Sequence, residues 1–414
     1  MQQWIPSLGP EEMRRTSRLT CDTSFVHPKS DTGRLSVAGL FAGIGGIELG
    51  FHAAGLEAEM LCEVWEPAQA VLQHRFPDTP LHGDVRGLRA LPTVDIVTAG
   101  FPCTDLSQAG RTAGITGKQS GLVGEVFRLL ERSKARWLVL ENVRNMLPLD
   151  RGRAMTYLVG ELEQLGYRWA YRVVDSRFSG VPQRRHRVLL VASRQEDPRG
   201  VLFADDEAEP PADAFRQDVF GFYWTEGLRG LGWAQDATPP LKGGSTIGIP
   251  SPPAIWVPGA EPGRKLVVPS VQDAEALQGF PREWTAAAAA EQRAKGIRWK
   301  LAGNAVTVPV ATWLGNALRE PGSHDAADDR RLASGDRWPN AAWGSDGTAW
   351  VSDRSFWPRH EPYRHLTDVV DVSRAEALSH KGAAGFLDRA NRGQLRFVED
   401  FLLDVKEHVE VTRR

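Results

Sequence analysis

The stretch RLSVAGLFAGIGGIELGFHAAG, residues 34–55, constrains this chain more than any other. A short apolar run, about Leu35 to Leu40, meets a glycine-rich turn and then a helical pattern that ends near Gly55. The same rhythm recurs downstream: AEMLCE as strand, EPAQAVLQHRF as helix, LHGDV and VDIVTAG as strands, GLVGEVFRLLERSK as helix and RWLVLENV as strand. Strands alternating with helices predict an α/β fold with a mostly parallel sheet and helices on both faces.

The 414 residues provide for one large domain plus an addition, or for two domains. From 200 to 265 the rhythm breaks: an acidic patch (Asp205, Asp206, Glu207, Glu209) precedes the Pro/Gly-rich TPPLKGGSTIGIPSPPAIWVPG, a composition that suits a smaller, loop-rich domain. The expected layout is therefore an N-terminal arm over 1–33, a first domain over 34–199, the insert over 200–265, a return to the first domain over 266–320, and a C-terminal extension over 321–414. The extension carries Trp338, Trp343, Trp350 and Trp357 and an amphipathic terminal helix. Packing on the first domain is its expected role, and a partner or DNA contact the alternative.

Bulk chemistry narrows the function classes. Cys21, Cys62 and Cys103 are far apart, with no CxxC pair and no clustered histidine. Reduced thiols in a cytoplasmic compartment and no metal centre are expected. No run of eighteen apolar residues and no leader-like N-terminus is present, which argues against secretion and membrane spanning. The net charge of −2 hides a local basic excess. Arg184, Arg185 and Arg187 follow Arg151, Arg153, Arg168, Arg172 and Arg177, and guanidinium groups suit phosphates or a base carbonyl.

Four constellations carry candidate chemistry. Glycines 43, 45 and 46 follow a strand and open a helix, where bare backbone can approach a ligand. Glu63 ends the next strand, where an acid reaches ribose hydroxyls in dinucleotide-type folds. A tight structural turn or a nicotinamide enzyme would share this feature, although the glycine order is not GxGxxG. Asp84 follows the third strand and serves either an adenine amine or a helix cap. Cys103, in GFPCTDLSQAG, has the residue type of a buried thiol but follows the C-terminal end of a strand, the edge where open α/β sheets bind ligands. With a free pKa of about 8.5, its use as a nucleophile needs a site that favours the thiolate. Glu141, in ENV, ends another strand at that edge and is either a proton donor to a ring nitrogen or a strand-terminal acid. Arg185 and Arg187 share one face of an extended segment.

These motifs, in this order, resemble the cytosine-C5 DNA methyltransferase family of bacterial type. LFAGIGG looks like its cofactor loop, GFPCTDLS its Pro-Cys loop, ENV its acid motif and QRRHR its Gln-x-Arg-x-Arg motif, with VQDAEALQGFP and AGNAV as its last two blocks. The resemblance spans about 34–320. It implies a Rossmann-like, S-adenosylmethionine-dependent methyltransferase sheet, with 200–265 as a target-recognition region acting on a cytosine flipped out of double-stranded DNA. By that resemblance Cys103 attacks C6, Glu141 serves N3 and the exocyclic amine, and Arg187 with Arg185 holds the base. Phe41, Gly43, Ile44, Gly46, Glu63, Asp84, Gly100, Pro102, Leu122, Asn304 and Val306 would line the cofactor site. Ser107, Gln183, Lys242, Gly243 and Gly244 would touch DNA.

The chain also departs from the pattern. Thr104 and Asp105 stand where many relatives carry Gln and a small residue, and Pro240-Leu241 replaces the usual Thr-Leu pair of the insert. The implied role is the modification arm of a restriction-modification or related defence system, as a monomer. A transfer-RNA methyltransferase of the same fold is the alternative.

Overall fold

The computed structural model describes residues 34–101, 121–242, 252–288, 294–333, 335–398 and 400–413. The expected N-terminal arm and the Pro102–Ser120 stretch lie outside the described residues. The apolar runs become β1 (Ser36–Leu40), β2 (Glu57–Cys62), β3 (Leu81–His82), β4 (Ile96–Ala99) and β5 (Trp137–Val143). They lie in the order β5-β4-β1-β2-β3, each pair parallel. Helix α1 (Gly46–Ala53) joins β1 to β2, α2 (Glu66–Arg75) joins β2 to β3, α3 (Leu122–Arg132) precedes β5, and α4 (Arg153–Gln164) follows it.

Successive strand residues point to opposite faces, so each strand feeds two cores. Ala38, Leu40, Val97 and Leu138 pack with Val123, Val126, Phe127 and Leu130, which form one stripe of α3 at helical spacing. Val37, Ile96, Trp137 and Val139 pack on the other face with Ile47 and Phe51 of α1. Chain order reverses at β1, which has β2 on one side and β4 on the other. Such a switch point opens a crevice beyond the carboxyl ends of the strands, and that is where the glycine turn lies.

The expectation of a mostly parallel sheet holds only for this half. β6 (Arg168–Asp175) and β7 (His186–Ser193) are antiparallel to one another, and β7 is antiparallel to β5. Residues 176–185 between them contain only a short 3-10 turn, Ser176–Ser179. A parallel return needs a longer crossover, so the link permits only the antiparallel arrangement.

The insert forms a second sheet from β8 (Phe220–Phe222), β9 (Ala234–Gln235), β10 (Ala254–Trp256) and β11 (Leu266–Val268). The expected boundaries shift accordingly. Val201, Leu202 and Phe203 pack into the first domain's core, and β11 lies beyond residue 265 yet pairs with β10. The chain returns through α5 (Val271–Leu277), opened by a reciprocal Ser270/Asp273 capping box, then α6 (Ala294–Asn304) and α7 (Val308–Arg319).

Residues 321–414 complete both sheets. β12 (Arg330–Arg331), β13 (Ala341–Ser345) and β14 (Thr348–Val351) extend the first sheet beyond β6, in the order β6-β13-β14-β12, all antiparallel. β15 (Glu376–Ala377) pairs with β11. Helices α8 (His380–Arg392) and α9 (Phe401–Val411) bury Phe386, Phe401 and Val405 against Phe222, Trp256 and Leu266. The expected packing on the first domain thus describes only part of the extension.

Candidate active site

The glycine turn is held open by backbone conformation. Phe41 (φ 56°), Gly43 (φ 58°) and Gly45 (φ 80°) all take left-handed backbone, which costs little for glycine but strains Phe41. A Cβ on Gly43 would meet nothing within 4 Å, whereas one on Gly46 would stand 2.6 Å from the carbonyl of Val306. The first glycine therefore faces open space and the third admits the loop between α6 and α7. Glu63 braces the turn: its carboxylate accepts from the N–H of Gly43 and of Trp65, each at 2.8 Å.

Gly43, Gly46, Gly100, Glu141, Asn304 and Val306 line one cleft with Phe41. Ile44 does not line this cleft; its side chain is buried and its carbonyl accepts from the Trp284 indole at 2.8 Å. Asp84 is partly exposed beyond β3 and accepts from the Arg86 N–H at 2.9 Å, which holds its carboxyl below the usual carboxylate range. Leu122 opens α3 and adjoins Arg86. Pro102, Cys103, Ser107, Gly243 and Gly244 lie outside the described residues, as do Thr104 and Asp105.

Glu141 and Arg187 meet across the β5/β7 ladder. Arg187 pairs with Val143 and Glu141 with Leu189, so the two side chains are diagonal neighbours on one face. Their ion pair spans 2.9 Å between Arg187 Nε and Glu141 Oε1. Burial lowers the Arg187 pKa, and the Glu141 carboxylate opposes that shift. The next residue, Asn142, donates its amide to the Phe101 carbonyl at 3.0 Å. The exit from β4 is thereby tied to the ENV segment.

Arg185 and Gln183 were expected at the substrate, and the structure puts both in the interior. Arg185 is 1% exposed, and its guanidinium donates to the carbonyls of Leu241 (3.3 Å), Gly303 (3.2 Å) and Ala305 (2.8 Å). Helix ends leave carbonyls without intrahelical partners, and Arg185 supplies donors at the end of α6. Gln183 is fully buried, donating to Leu277 O and Gln278 Oε1 and accepting from Leu241 N, each at 3.1 Å. With its amide used internally it is not placed to contact DNA. Lys242 remains partly exposed, paired with Glu226 and lying 3.6 Å from the centre of the Tyr223 ring.

Sequence reasoning missed Glu48. It is 3% exposed, lines the same cleft, and its Oε2 has no hydrogen-bond partner. Burial and the nearby Glu63 charge push its pKa up to about 7. The signal was its spacing: Ile47, Glu48 and Phe51 fall on one side of the helix, so a charged residue shares the apolar face.

A family model described as C-5 cytosine-specific DNA methylase matches residues 35–218. Together with a relative aligned over most of the chain, this shows that the chain belongs to that family and is a DNA cytosine-5-methyltransferase. The relative is Type II methyltransferase M2.BsuMI of Bacillus subtilis (strain 168), 44% identical over 369 residues that cover 86% of this chain and 94% of that protein. Type II methyltransferase M.MspI of Moraxella sp is 29% identical over 67% of this chain and 69% of that protein. Among solved structures, S. pombe Dnmt2 methyltransferase has a TM-score of 0.50 at 15% identity, over 69% of this chain and 99% of that one, a likeness of fold.

Proposed function

We propose that this enzyme methylates C5 of a cytosine flipped out of duplex DNA, through a covalent bond from Cys103 to C6, and that it serves as the modification arm of a restriction-modification system in the cytoplasm. The observation that carries this reading is the Glu141–Arg187 pair at 2.9 Å, one residue from the Asn142 bond that holds Phe101 and hence the start of the Pro-Cys loop.

The cleft suits S-adenosylmethionine. Gly43 faces open space, and a partnerless Glu48 carboxyl oxygen fits a ligand that bears positive charge. Phe41, Gly43, Gly46, Glu63, Asp84, Asn304 and Val306 would hold it. When bound, this cofactor supplies an electrophilic methyl group on sulfur.

Cytosine C5 is a weak nucleophile, and Cys103 answers that need. Its thiolate forms a bond to C6, the ring electrons move toward C5, and Glu141 accepts the exocyclic N–H while sharing a proton with N3. Arg187 donates to the base carbonyl and keeps Glu141 in place. After C5 is substituted, its proton passes to solvent, the N3 proton returns to Glu141, and Cys103 leaves as thiolate. Arg185, whose guanidinium serves main-chain carbonyls, acts as a positioning residue. Base-edge reading falls to the second sheet, including Lys242 and the segment that contains Gly243 and Gly244.

Bisulfite sequencing of DNA from cells expressing the chain tests this reading, with Cys103→Ala beside it and labelled methyl transfer to transfer RNA as a second arm. Methylated cytosines in one sequence context, lost in Cys103→Ala while S-adenosylmethionine still binds, are expected. Undiminished methylation by Cys103→Ala would refute the covalent route, and transfer to RNA alone would refute the DNA substrate.

A further inference from the structure

The cleft has an imbalance of charge that the residues named so far do not resolve. Among the described residues that line it, the charged side chains are Glu48 and Glu141. Glu141 is neutralised by Arg187 at 2.9 Å. Glu48 has no such partner. It enters from the first turn of α1, and its carboxylate lies over Gly39 of β1, where any side chain would collide with it. With one oxygen partnerless and the residue 97% removed from solvent, an ionised Glu48 calls for a cation.

We propose that Glu48 binds the α-ammonium group of the methionine moiety of S-adenosylmethionine. This rests on the cofactor reading above and deepens it. The glycine turn puts Gly43 and Gly46 around the same cleft, so a zwitterionic amino-acid group there meets helix N–H groups for its carboxylate and Glu48 for its ammonium. Glu63, the other acid near Glu48, has its two oxygens occupied by the N–H groups of Gly43 and Trp65.

Proton linkage follows from this arrangement. Without ligand the Glu48 carboxyl is raised to about 7, so at pH 6 it is mostly protonated. An ammonium group beside it favours the carboxylate, and binding expels the proton. Facing groups are Glu63 at the end of β2 and Glu141 with Arg187 on β5 and β7. The Cys62 thiol on β2 is pushed up to about 11 by burial and stays neutral. The stretch of α7 packed against α1 near Gly50, Val308, Ala311 and Thr312, carries no titratable side chain.

Calorimetric titration of the full chain with S-adenosylmethionine, S-adenosylhomocysteine and methylthioadenosine tests the proposal, in buffers of different ionisation enthalpy at pH 6 and pH 8. The first two ligands carry the α-ammonium; the third lacks the amino-acid group. The wild type should release close to one proton on binding the first two at pH 6 and much less at pH 8. Glu48→Gln should abolish that release and weaken both ligands by at least about tenfold, with methylthioadenosine unaffected. Thermal unfolding of the variant without ligand checks that it folds. Equal affinity in variant and wild type overturns the proposal, as does weakening confined to S-adenosylmethionine, which would assign Glu48 to the sulfonium instead. Failure of the wild type to bind any of the three would instead refute the cofactor reading itself.

Discussion

Asn142 donates its side-chain amide to the carbonyl of Phe101 at 3.0 Å, and its own carboxamide oxygen accepts from the N–H of Val143 at 2.9 Å. One residue thus couples the base of the Pro-Cys loop to the strand that carries Glu141. Asn142→Ala leaves a buried carbonyl unpaired, a cost of about 1–3 kcal/mol. The expected outcome is a lower unfolding temperature and a reduced kcat, with the equilibrium constant for cofactor binding unchanged. Calorimetry beside steady-state kinetics separates the two.

Arg185 and Arg187 stand two residues apart and are expected to fail differently. Arg187→Met removes the partner of Glu141 and should lower kcat on the order of 10²-fold or more, while the cofactor still binds. Arg185→Met frees the carbonyls of Leu241, Gly303 and Ala305, so it should lower the unfolding temperature and weaken cofactor binding through the Asn304–Val306 loop. Identical profiles for the two variants would contradict the distinction.

Phe401 of α9 lies at ring-centre distances of 5.0 Å from Phe222, 5.1 Å from Trp233 and 5.2 Å from Trp256. Phe401→Ala should cost about 3–5 kcal/mol and loosen the second sheet from the far end of the sequence. DNA binding measured by electrophoretic shift should fall while cofactor affinity persists. For the same reason, transplanting 200–265 from a relative should destabilise the protein unless 366–411 travels with it.

Glu48 gives stability a defined pH dependence. Its carboxyl is about 7 in the folded, ligand-free protein against an ordinary 4.5, so between those values the folded state holds more protons than the unfolded one. Stability from this group is therefore fully present below pH 4.5 and lost as pH rises toward 7, by up to about 3 kcal/mol. Thermal unfolding across pH 4.5–8 should show wild type falling relative to Glu48→Gln, and parallel curves would exclude the effect.

The parallel half of the fold was legible because β1, β4 and β5 are apolar runs separated by helices whose apolar residues keep one period. The second sheet was not. β8, β10 and β11 have three residues each and β9 and β15 two, too few for an alternating pattern to register. The β13–β14 hairpin had a signal in SDGT: Asp346 (φ 52°) and Gly347 (φ 75°) form the two-residue turn that such pairs favour. At the site, Glu141 and Arg187 stood out because their motifs end or begin strands at the sheet edge. Gln183 and Arg185 misled because their residue types usually face water, whereas here partners distant in sequence receive them: Leu277 and Gln278 for Gln183, and the carbonyls at the end of α6 for Arg185. Glu48 escaped notice because a single acid in a glycine-rich helix looks like a solvated one until Gly39 is seen beneath it.

The loop that brings Val306 within reach of Gly46 is made more than 250 residues after the turn it completes, since 306 − 46 = 260. Strand β6 likewise gains its neighbour β13 only once Ala341–Ser345 have been made. During translation the ribosome must therefore emit most of the polypeptide before the first-made turn acquires its opposite wall. A message that stops before Val306 yields a chain with the glycine turn but without the loop that faces Gly46. The cleft of this enzyme can therefore take shape only late in its own synthesis.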